Sequence, residues 1–252
     1  MILSTCKNVD FFQSELLREY DFIHAFFTKR PSNNEPVKLQ EQLNINSKIN
    51  YLKQIHSSKV IQVNNTLNLK DKVADCLITK AKNQSLWIYT ADCIPILIAD
   101  VKTRNVAACH CGLKGLEKKI ISKTLKSLEK IGSHKNNLII ALGPSINGEK
   151  YQVNKKDVKD LITQIAGENF TAKNSCINAI KGKEMIPLFK KDSNPNKILF
   201  DIQAAAISQL YKEGIKQYQI NSNRICTFSN PNLFNSYKRE KTNSRQWSCI
   251  YS

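Results

Sequence analysis

Apolar residues in the first half of the chain form short runs that are bounded by polar residues, a pattern typical of β-strands. We therefore expect the first half to be mainly β-structure. The predicted strands cover residues 22–28, 59–63, 75–79, 85–93, 94–100 and 105–111.

After Gly112 the apolar period becomes helical. Over residues 116–131, one face carries Leu116, Ile120, Ile121, Leu125 and Leu128. A strand is therefore predicted to lead into a helix through the sequence CHCGLKG.

The second half of the chain contains both strand-like and helix-like patterns of apolar residues. It predicts a strand at 137–146, helices at 155–165 and 201–211, and late strands at 218–228 and 245–251. Asp201 is a plausible N-cap for the second of these helices.

Grouped strands with helices between some of them favour an α+β fold with mixed β-sheets. The 252 residues are 41% hydrophobic, enough for a core that folds unaided. No repeat of fixed period interrupts the chain, so we expect a single domain over residues 1–252.

The net charge of +17 makes nucleic acid, an anionic surface or a phosphorylated small molecule conceivable partners. The excess is mostly lysine spread along the whole chain, without a compact basic block or a nucleic-acid motif. Solvated surface lysines are therefore the preferred interpretation, and no nucleic-acid partner is expected.

The N-terminal sequence MILSTCKNVDFF lacks a basic start followed by an apolar signal core. The eight cysteines are then expected to stay reduced, and they include no C-x-x-C pair. Apolar stretches fall short of the roughly 20 residues of a membrane helix. These features predict a cytoplasmic protein with no membrane partner.

The chain has four histidines. His134 lies in a polar segment, and His24 lies in an apolar strand where a satisfied core histidine is the default. His56 precedes a predicted strand, whereas Cys93 and His110 each end one, and such positions often carry function. Strand alternation directs the neighbouring Cys109 and Cys111 away from His110.

Two histidines and one cysteine match a catalytic zinc site with an open fourth position. The ligands are far apart in sequence, so spacing alone leaves buried structural cysteine and rim histidines as the alternative. Asp92, next to Cys93, and Asp75 could each orient a ligand histidine, move a proton or simply cap a turn.

Several segments are similar to the multicopper polyphenol oxidase (laccase-domain) family, also called YfiH or DUF152. They are QIHSSKV, ADCLIT, YTADCIPILIAD, VAACHCGLKGL, ALGPSI, YQV, ICTF and SYKREKTNSRQ. The resemblance implies a fold like the catalytic domain of cytotoxic necrotising factor, with two packed mixed β-sheets and flanking helices.

The resemblance also implies zinc bound by His56, Cys93 and His110, and purine nucleoside phosphorylase activity with added adenosine deaminase activity. Copper is not expected, despite the laccase name. Multicopper enzymes build their centres largely from histidines, and a blue-copper centre also uses an axial methionine. This chain has four histidines, and methionine only at positions 1 and 185.

The chain departs from the family pattern at three places. TKRPSNN replaces a glycine-rich segment, so that Lys29 or Arg30 must stand for the family's arginine. Leu113 and Lys114 stand where the family has tryptophan and arginine, and Ser244 replaces a glycine before Arg245. These changes bear on substrate stacking and phosphate affinity.

The leading hypothesis is zinc-dependent phosphorolysis of a purine nucleoside, with Asp92, Cys93 and His110 as catalytic residues. Phosphate would be bound by Lys114, Arg239 and Arg245, since arginine suits bidentate contact. Tyr237, with Phe234, would line the base pocket, although aromatic residues near a sheet end are more often core.

Two alternatives remain open. A cysteine hydrolase with Cys93 as nucleophile and His110 as base would attack an amide, such as one in a cell-wall (peptidoglycan) precursor. An anion- or nucleic-acid-binding protein without catalysis would explain the charge but not the strand-end positions of Cys93 and His110. The sequence does not indicate an oligomeric state.

Overall fold

The computed structural model describes residues 1–7, 9–29, 35–64, 72–166, 176–178, 185–222 and 224–252. The strands in chain order are β1 (Ile2–Cys6), β2 (Val9–Gln13), β3 (His24–Phe27), β4 (Lys48–Asn50), β5 (Val60–Val63), β6 (Cys76–Thr79), β7 (Gln84–Thr90), β8 (Ile94–Asp100), β9 (Val106–Cys111), β10 (Leu138–Leu142), β11 (Gln152–Asn154), β12 (Cys176–Asn178), β13 (Met185–Pro187), β14 (Phe189–Lys191), β15 (Lys197–Phe200), β16 (Ile220–Ser222) and β17 (Gln246–Tyr251). The helices are α1 (Glu15–Glu19), α2 (Pro36–Gln42), α3 (Leu113–Glu117), α4 (Ile120–Lys130), α5 (Lys155–Ala166), α6 (Ile202–Lys212) and α7 (Tyr237–Glu240).

Two six-stranded sheets form the centre of the molecule. The first has the order β1-β2-β3-β17-β7-β4, and the second has the order β16-β10-β8-β9-β6-β5. Both are mixed, because β4 runs parallel to β7, β16 to β10 and β5 to β6, while the other pairs are antiparallel. The predicted α+β fold with two mixed sheets is confirmed.

A core of apolar side chains joins the two sheets. Phe26 and Leu86 project from the first sheet and pack in one cluster with Leu97 and Ile139 from the second. All four are buried. Burial of this apolar surface is the main force that holds the sheets face to face.

Helices cover the outer face of the second sheet. The apolar face of α4 packs there together with α5, α6 and the small sheet β11-β15-β14. The amphipathic pattern of residues 116–131 therefore identified a buried face correctly. The helix itself is divided in two, because Lys119 adopts a left-handed conformation with φ of 58° between α3 and α4.

Several predicted strands are shorter than expected, and the one at 137–146 is reduced to β10. The predicted strand at 85–93 stops at Thr90, since residues 91–93 form a bend in which Asp92 has a φ of 87°. The predicted strand at 218–228 is reduced to β16, followed by a single bridge between Ser145 and Cys226. The bend at 91–93 carries the site described next.

Candidate metal centre and substrate cleft

The side chains of His56, Cys93 and His110 meet at one end of the second sheet. Their potential ligand atoms all lie within 4.8 Å of one another. Cys93 Sγ is 3.9 Å from His56 Nε2, and the two imidazole rings cross edge to face with centroids 4.8 Å apart. The three residues could hold a metal ion.

Strand pairing explains this convergence of residues distant in sequence. In the β8–β9 ladder, Ile94 faces Cys111 and Pro95 faces His110, which sets the bend carrying Cys93 beside the end of β9. Cys109 and Cys111 lie on the opposite face of β9, in the core against α4. This is the orientation that strand alternation predicts.

Gly112 leaves room for the cluster. A Cβ atom at this position would lie 2.8 Å from Cys93 Sγ and 3.3 Å from His56 Cδ2. The first of these distances is shorter than real side chains tolerate, so a side chain here would displace the thiol. In the sequence, this glycine is recognisable only as part of a turn.

Asp75 is the buried carboxylate that organises the cluster. Its Oδ1 lies 2.8 Å from His110 Nδ1 and accepts a hydrogen bond of 2.9 Å from the backbone N–H of His56. Its Oδ2 accepts bonds from the backbone N–H and the hydroxyl of Ser57, at 2.6 and 2.7 Å. One carboxylate therefore fixes the ring of His110 and the loop that carries His56.

The charges in the cluster depend on one another. Burial raises the pKa of Asp75, but hydrogen bonds from His110 and Ser57 outweigh it and lower the pKa to about 2. Burial likewise opposes charge on His110 and Cys93. The charge of Cys93 and the bond to Asp75 nevertheless raise the pKa of His110 to about 9, while His110 and His56 lower that of Cys93 to about 6. A thiolate beside an imidazolium is therefore favoured at neutral pH when no metal is bound.

Of the roles considered for Asp92, its hydrogen bonds support turn capping. Its Oδ1 accepts a 2.7 Å hydrogen bond from the hydroxyl of Thr227, and its Oδ2 accepts one of the same length from the backbone N–H of Lys238. The contact to a ligand histidine is made by Asp75 instead. Asp92 thus caps the first turn of α7, which is the turn-capping alternative considered for it.

A cleft of about 780 Å³ opens above the cluster. Its metal-ligand wall contains the three possible ligands with Thr90, Ala91 and Asp92, and a rim of Gln54, Ile55 and Tyr89 adjoins them. Its cationic wall is formed by α3 and α7, by the residues that directly follow each helix, and by Tyr151 from the turn before β11. It contributes Leu113, Lys114, Lys118, Tyr151, Tyr237, Lys238, Lys241, Asn243 and Arg245.

Three of the four predicted substrate-binding residues line this cleft, namely Lys114, Tyr237 and Arg245. Arg239 is not among the described residues that line it. Its guanidinium donates to the backbone carbonyls of Thr227, Phe228 and Phe234 and pairs with Glu240. These bonds use all five N–H groups of the guanidinium. The prediction that Arg239 binds phosphate is therefore wrong, and its role is structural.

The other residues predicted to bind substrate do not line the cleft within the described part of the chain. Lys29 is joined through its backbone N–H to Leu233 and is not among the cleft residues, and Arg30 falls outside the described residues. Phe234 is fully buried between the sheets. It is therefore a core residue, the more common role of such an aromatic side chain.

The sequence profile of the family described as multi-copper polyphenol oxidoreductase laccase matches residues 32–252. The chain belongs to this family. Its membership agrees with the motifs around His56, Cys93 and His110.

Sequence relatives of this chain are named purine nucleoside phosphorylase, which differs from the name of the family. A purine nucleoside phosphorylase of Synechocystis is 32% identical over 235 residues, which cover 91% of this chain and 89% of the relative. One of Aquifex aeolicus is 31% identical, covering 78% and 79%. One of Corynebacterium glutamicum is 27% identical, covering 81% and 74%.

Solved structures share the fold. A Bacillus licheniformis YfiH protein has a TM-score of 0.79 and 18% identity, and covers 96% of both chains. A Neisseria meningitidis protein of the DUF152 family has a TM-score of 0.75 and 21% identity, and covers 96% of this chain and 98% of its own. Within the described residues of the family chain, no helix is both long and apolar enough to span a membrane.

Proposed function

We propose that the protein is a zinc-dependent purine nucleoside phosphorylase that also deaminates adenosine. The reaction joins adenosine or inosine with phosphate and yields the free base and ribose 1-phosphate. The observation that carries the proposal is a Cys-His₂ donor set at the base of a cleft that has a cationic wall. The names of the relatives support the same activity.

The donor set fits zinc. Tetrahedral zinc, with bonds of about 2.0 Å to nitrogen and 2.3 Å to sulfur, has donor atoms roughly 3.5 Å apart. The 3.9 Å between Cys93 Sγ and His56 Nε2 is close to that spacing. Because ionised Asp75 accepts the Nδ1 proton of His110, the Nε2 atom of that ring is left to face the metal.

Zinc bound there would supply a Lewis acid that polarises the substrate or orients phosphate or water, for phosphorolysis and for deamination alike. Lys114 and Arg245 bind and orient the attacking phosphate in this proposal. Tyr237 borders the substrate. Asp92 acts as a positioning residue that holds Lys238 and Thr227, because both of its oxygens already accept hydrogen bonds.

The bond changes balance without an added reagent. A phosphate oxygen forms a bond to C1′ of the ribose while the bond from C1′ to N9 of the purine breaks. The base leaves with the electron pair and takes up the proton that the attacking hydrogen phosphate loses. The cationic side chains stabilise the phosphate in the orientation for attack.

The test is turnover of adenosine in phosphate buffer by the purified protein, with and without a zinc chelator, with products resolved by mass. We expect adenine and ribose 1-phosphate that disappear with the chelator and return when zinc is restored. Inosine in the same samples would report deamination. Activity that copper restores and zinc does not would contradict the choice of metal.

A second candidate is an amide hydrolase that acts on a cell-wall precursor. It is favoured by the lowered pKa of Cys93, about 6, and the raised pKa of His110, about 9, since such a thiolate–imidazolium pair is a ready nucleophile. Chelation separates the candidates. Amide hydrolysis that rises when metal is removed would support the hydrolase, and loss of activity would eliminate it.

A further inference from the structure

The cationic wall carries more positive charge than one phosphate ion needs. Lys114 of α3 and Lys118, the residue directly after this helix, lie one helical turn apart and flank one side of the cleft. On the other side, α7 and the residues after it supply Lys238, Lys241 and Arg245. Five cations therefore border a single cleft.

Nearby carboxylates compensate the charge of these lysines only in part, through Glu117 near Lys114 and Lys118 and through Asp92 near Lys238. In the part of the chain that the structure describes, none of the ion pairs involves Lys114, Lys118, Lys238 or Lys241. Among the described residues of the cleft, Asp92 is the carboxylate, and its oxygens bind Thr227 and the backbone of Lys238. Burial and the charges of Lys241 and Lys197 lower the pKa of Lys238, as expected where positive charges gather.

The ring of Tyr237 brings part of this charge to one corner. Lys241 Nζ lies 5.1 Å from the ring centroid, and the guanidinium carbon of Arg245 lies 5.7 Å from it. Lys238 Nζ donates to the carbonyl of Gln152 at 2.9 Å and has two further protons to offer. The corner of Lys238 and Lys241 is thus suited to an anionic oxygen and less to a neutral ribose or purine.

We propose that the preferred substrate is a nucleoside 5′-phosphate, whose phosphate ester binds Lys238 and Lys241 while inorganic phosphate binds Lys114 and Arg245. This inference rests on the proposed phosphorolysis. A phosphate oxygen bonds to C1′, the bond from C1′ to the base breaks, and the base takes up a proton. The sugar product is then ribose 1,5-bisphosphate.

The competing explanation is that these lysines belong to the general lysine excess of the chain, which has 38 lysine and arginine residues. Lys126 on α4 is an exposed lysine outside the cleft lining and serves as the matched control. If charge anywhere on the surface attracts the nucleotide, Lys126→Gln and Lys241→Gln will have equal effects. If the corner binds it, only Lys241→Gln will change its affinity strongly.

The experiment compares adenosine and adenosine 5′-monophosphate as substrates of the zinc-loaded full-length protein. We expect kcat/KM for the nucleotide to exceed that for adenosine by about tenfold, the effect of one charged hydrogen bond. Lys241→Gln should lower the ratio of the two kcat/KM values by a similar factor, mainly through KM. Lys126→Gln should leave the ratio unchanged.

Calorimetric titration of both compounds without inorganic phosphate completes the test. Turnover of adenosine with equal or weaker use of the nucleotide would overturn the inference and leave the proposed phosphorylase standing. If neither compound reacts, the phosphorylase proposal fails, and binding decides the inference alone. Tighter nucleotide binding that depends on Lys241 supports the anionic corner, and equal binding of both compounds overturns it.

Discussion

The two walls of the cleft are built in opposite ways. On the metal-ligand wall, the donor side chains sit at strand ends or in a loop. Asp75, a fully buried carboxylate whose two oxygens accept several hydrogen bonds, fixes the ring of His110 and the loop of His56. On the cationic wall, Lys114, Lys118 and Lys241 are exposed and belong to short helices or their ends. The departures from the family pattern at Leu113, Lys114 and Ser244 fall on or beside the cationic wall. The candidate metal ligands are thus held by preorganised strand ends, whereas the opposite wall consists of adaptable side chains.

The largest expected effect is loss of a ligand on the metal-ligand wall. Cys93→Ser should lower zinc affinity and nucleoside turnover by more than about 100-fold, which exceeds the usual cost of losing an outer-shell partner. Metal content after dialysis and turnover by mass spectrometry measure the two effects. Cys6→Ser, which changes a partly exposed thiol in β1 of the first sheet, is the control and should retain both. Full activity in Cys93→Ser would contradict the role of Cys93 as a metal ligand and the contrast between the two walls.

Asp75→Asn tests whether the metal-ligand wall depends on its buried carboxylate. We expect zinc affinity to fall roughly 10- to 100-fold, because the amide cannot hold the ring of His110 and the loop of His56 in the same way. The free energy of unfolding should also fall, by about 1–3 kcal/mol. Competition with a zinc-binding dye and urea denaturation provide the two measurements.

The matched control for this change is Asp100→Asn. Asp100 is also fully buried and accepts backbone hydrogen bonds, from Lys102, Thr103 and His134, but it lies at the far end of β8. It should lose similar stability and keep normal zinc affinity. Equal zinc affinity in both variants would show that Asp75 serves only the fold.

His24, a buried histidine outside the cleft, provides a contrast with His110 because the pKa values of the two residues shift in opposite directions. His24 is buried, accepts a hydrogen bond from the backbone N–H of Ser14 and contacts the carbonyl of Phe22. Burial lowers its pKa from 6.5 to about 4, against the opposing effect of the bond to Phe22. It is therefore the satisfied core histidine that the sequence indicated, whereas the pKa of buried His110 is raised.

The unfolded chain binds the proton of His24 more readily, so the stability contributed by this residue is complete above pH 6.5 and declines as the pH falls towards 4. By pH 5 the loss should be about 2 kcal/mol. Urea denaturation at pH 7.5 and pH 5 of the wild type and of His24→Gln measures it. The variant should show a smaller drop, and identical drops in both proteins would contradict the assignment.

The smallest expected effect belongs to the cationic wall. Lys114→Ala should raise the KM for phosphate roughly fivefold, since the lost contact comes from one exposed charge. Zinc affinity and stability should stay at wild-type values. Initial rates at varied phosphate concentration measure the change, with Lys126→Ala as the control. A loss of zinc from Lys114→Ala would show that the two walls are not independent.

The second sheet and the candidate ligands His56, Cys93 and His110 were predictable because their signals are local. Buried strands such as β8 and β9 are unbroken apolar runs, and a polar residue at the end of such a run stands out. The N-terminal hairpin of β1 and β2 was missed, since β1 is short and mostly exposed and lacks a distinct apolar run.

The functions of Asp75 and Arg239 could not be assigned from local sequence patterns. A lone aspartate before a strand resembles any turn residue, and only the β6–β9 pairing brings its carboxylate under the ring of His110. Arg239 resembled a phosphate ligand because arginine suits bidentate contact. Its five N–H groups are consumed by carbonyls of the 227–234 loop and by Glu240, which only the fold reveals.

The position of β17 in the first sheet has a consequence for biosynthesis. This strand is inserted between β3 and β7, so its partners are made more than 150 residues earlier. The first sheet cannot close until residue 251 has left the ribosome, and such long-range pairing is slow. Residues 237–245, which directly precede β17, complete the cleft only at that stage. Zinc capture by nascent chains should therefore be late, and chains stalled before β17 should be open to proteolysis.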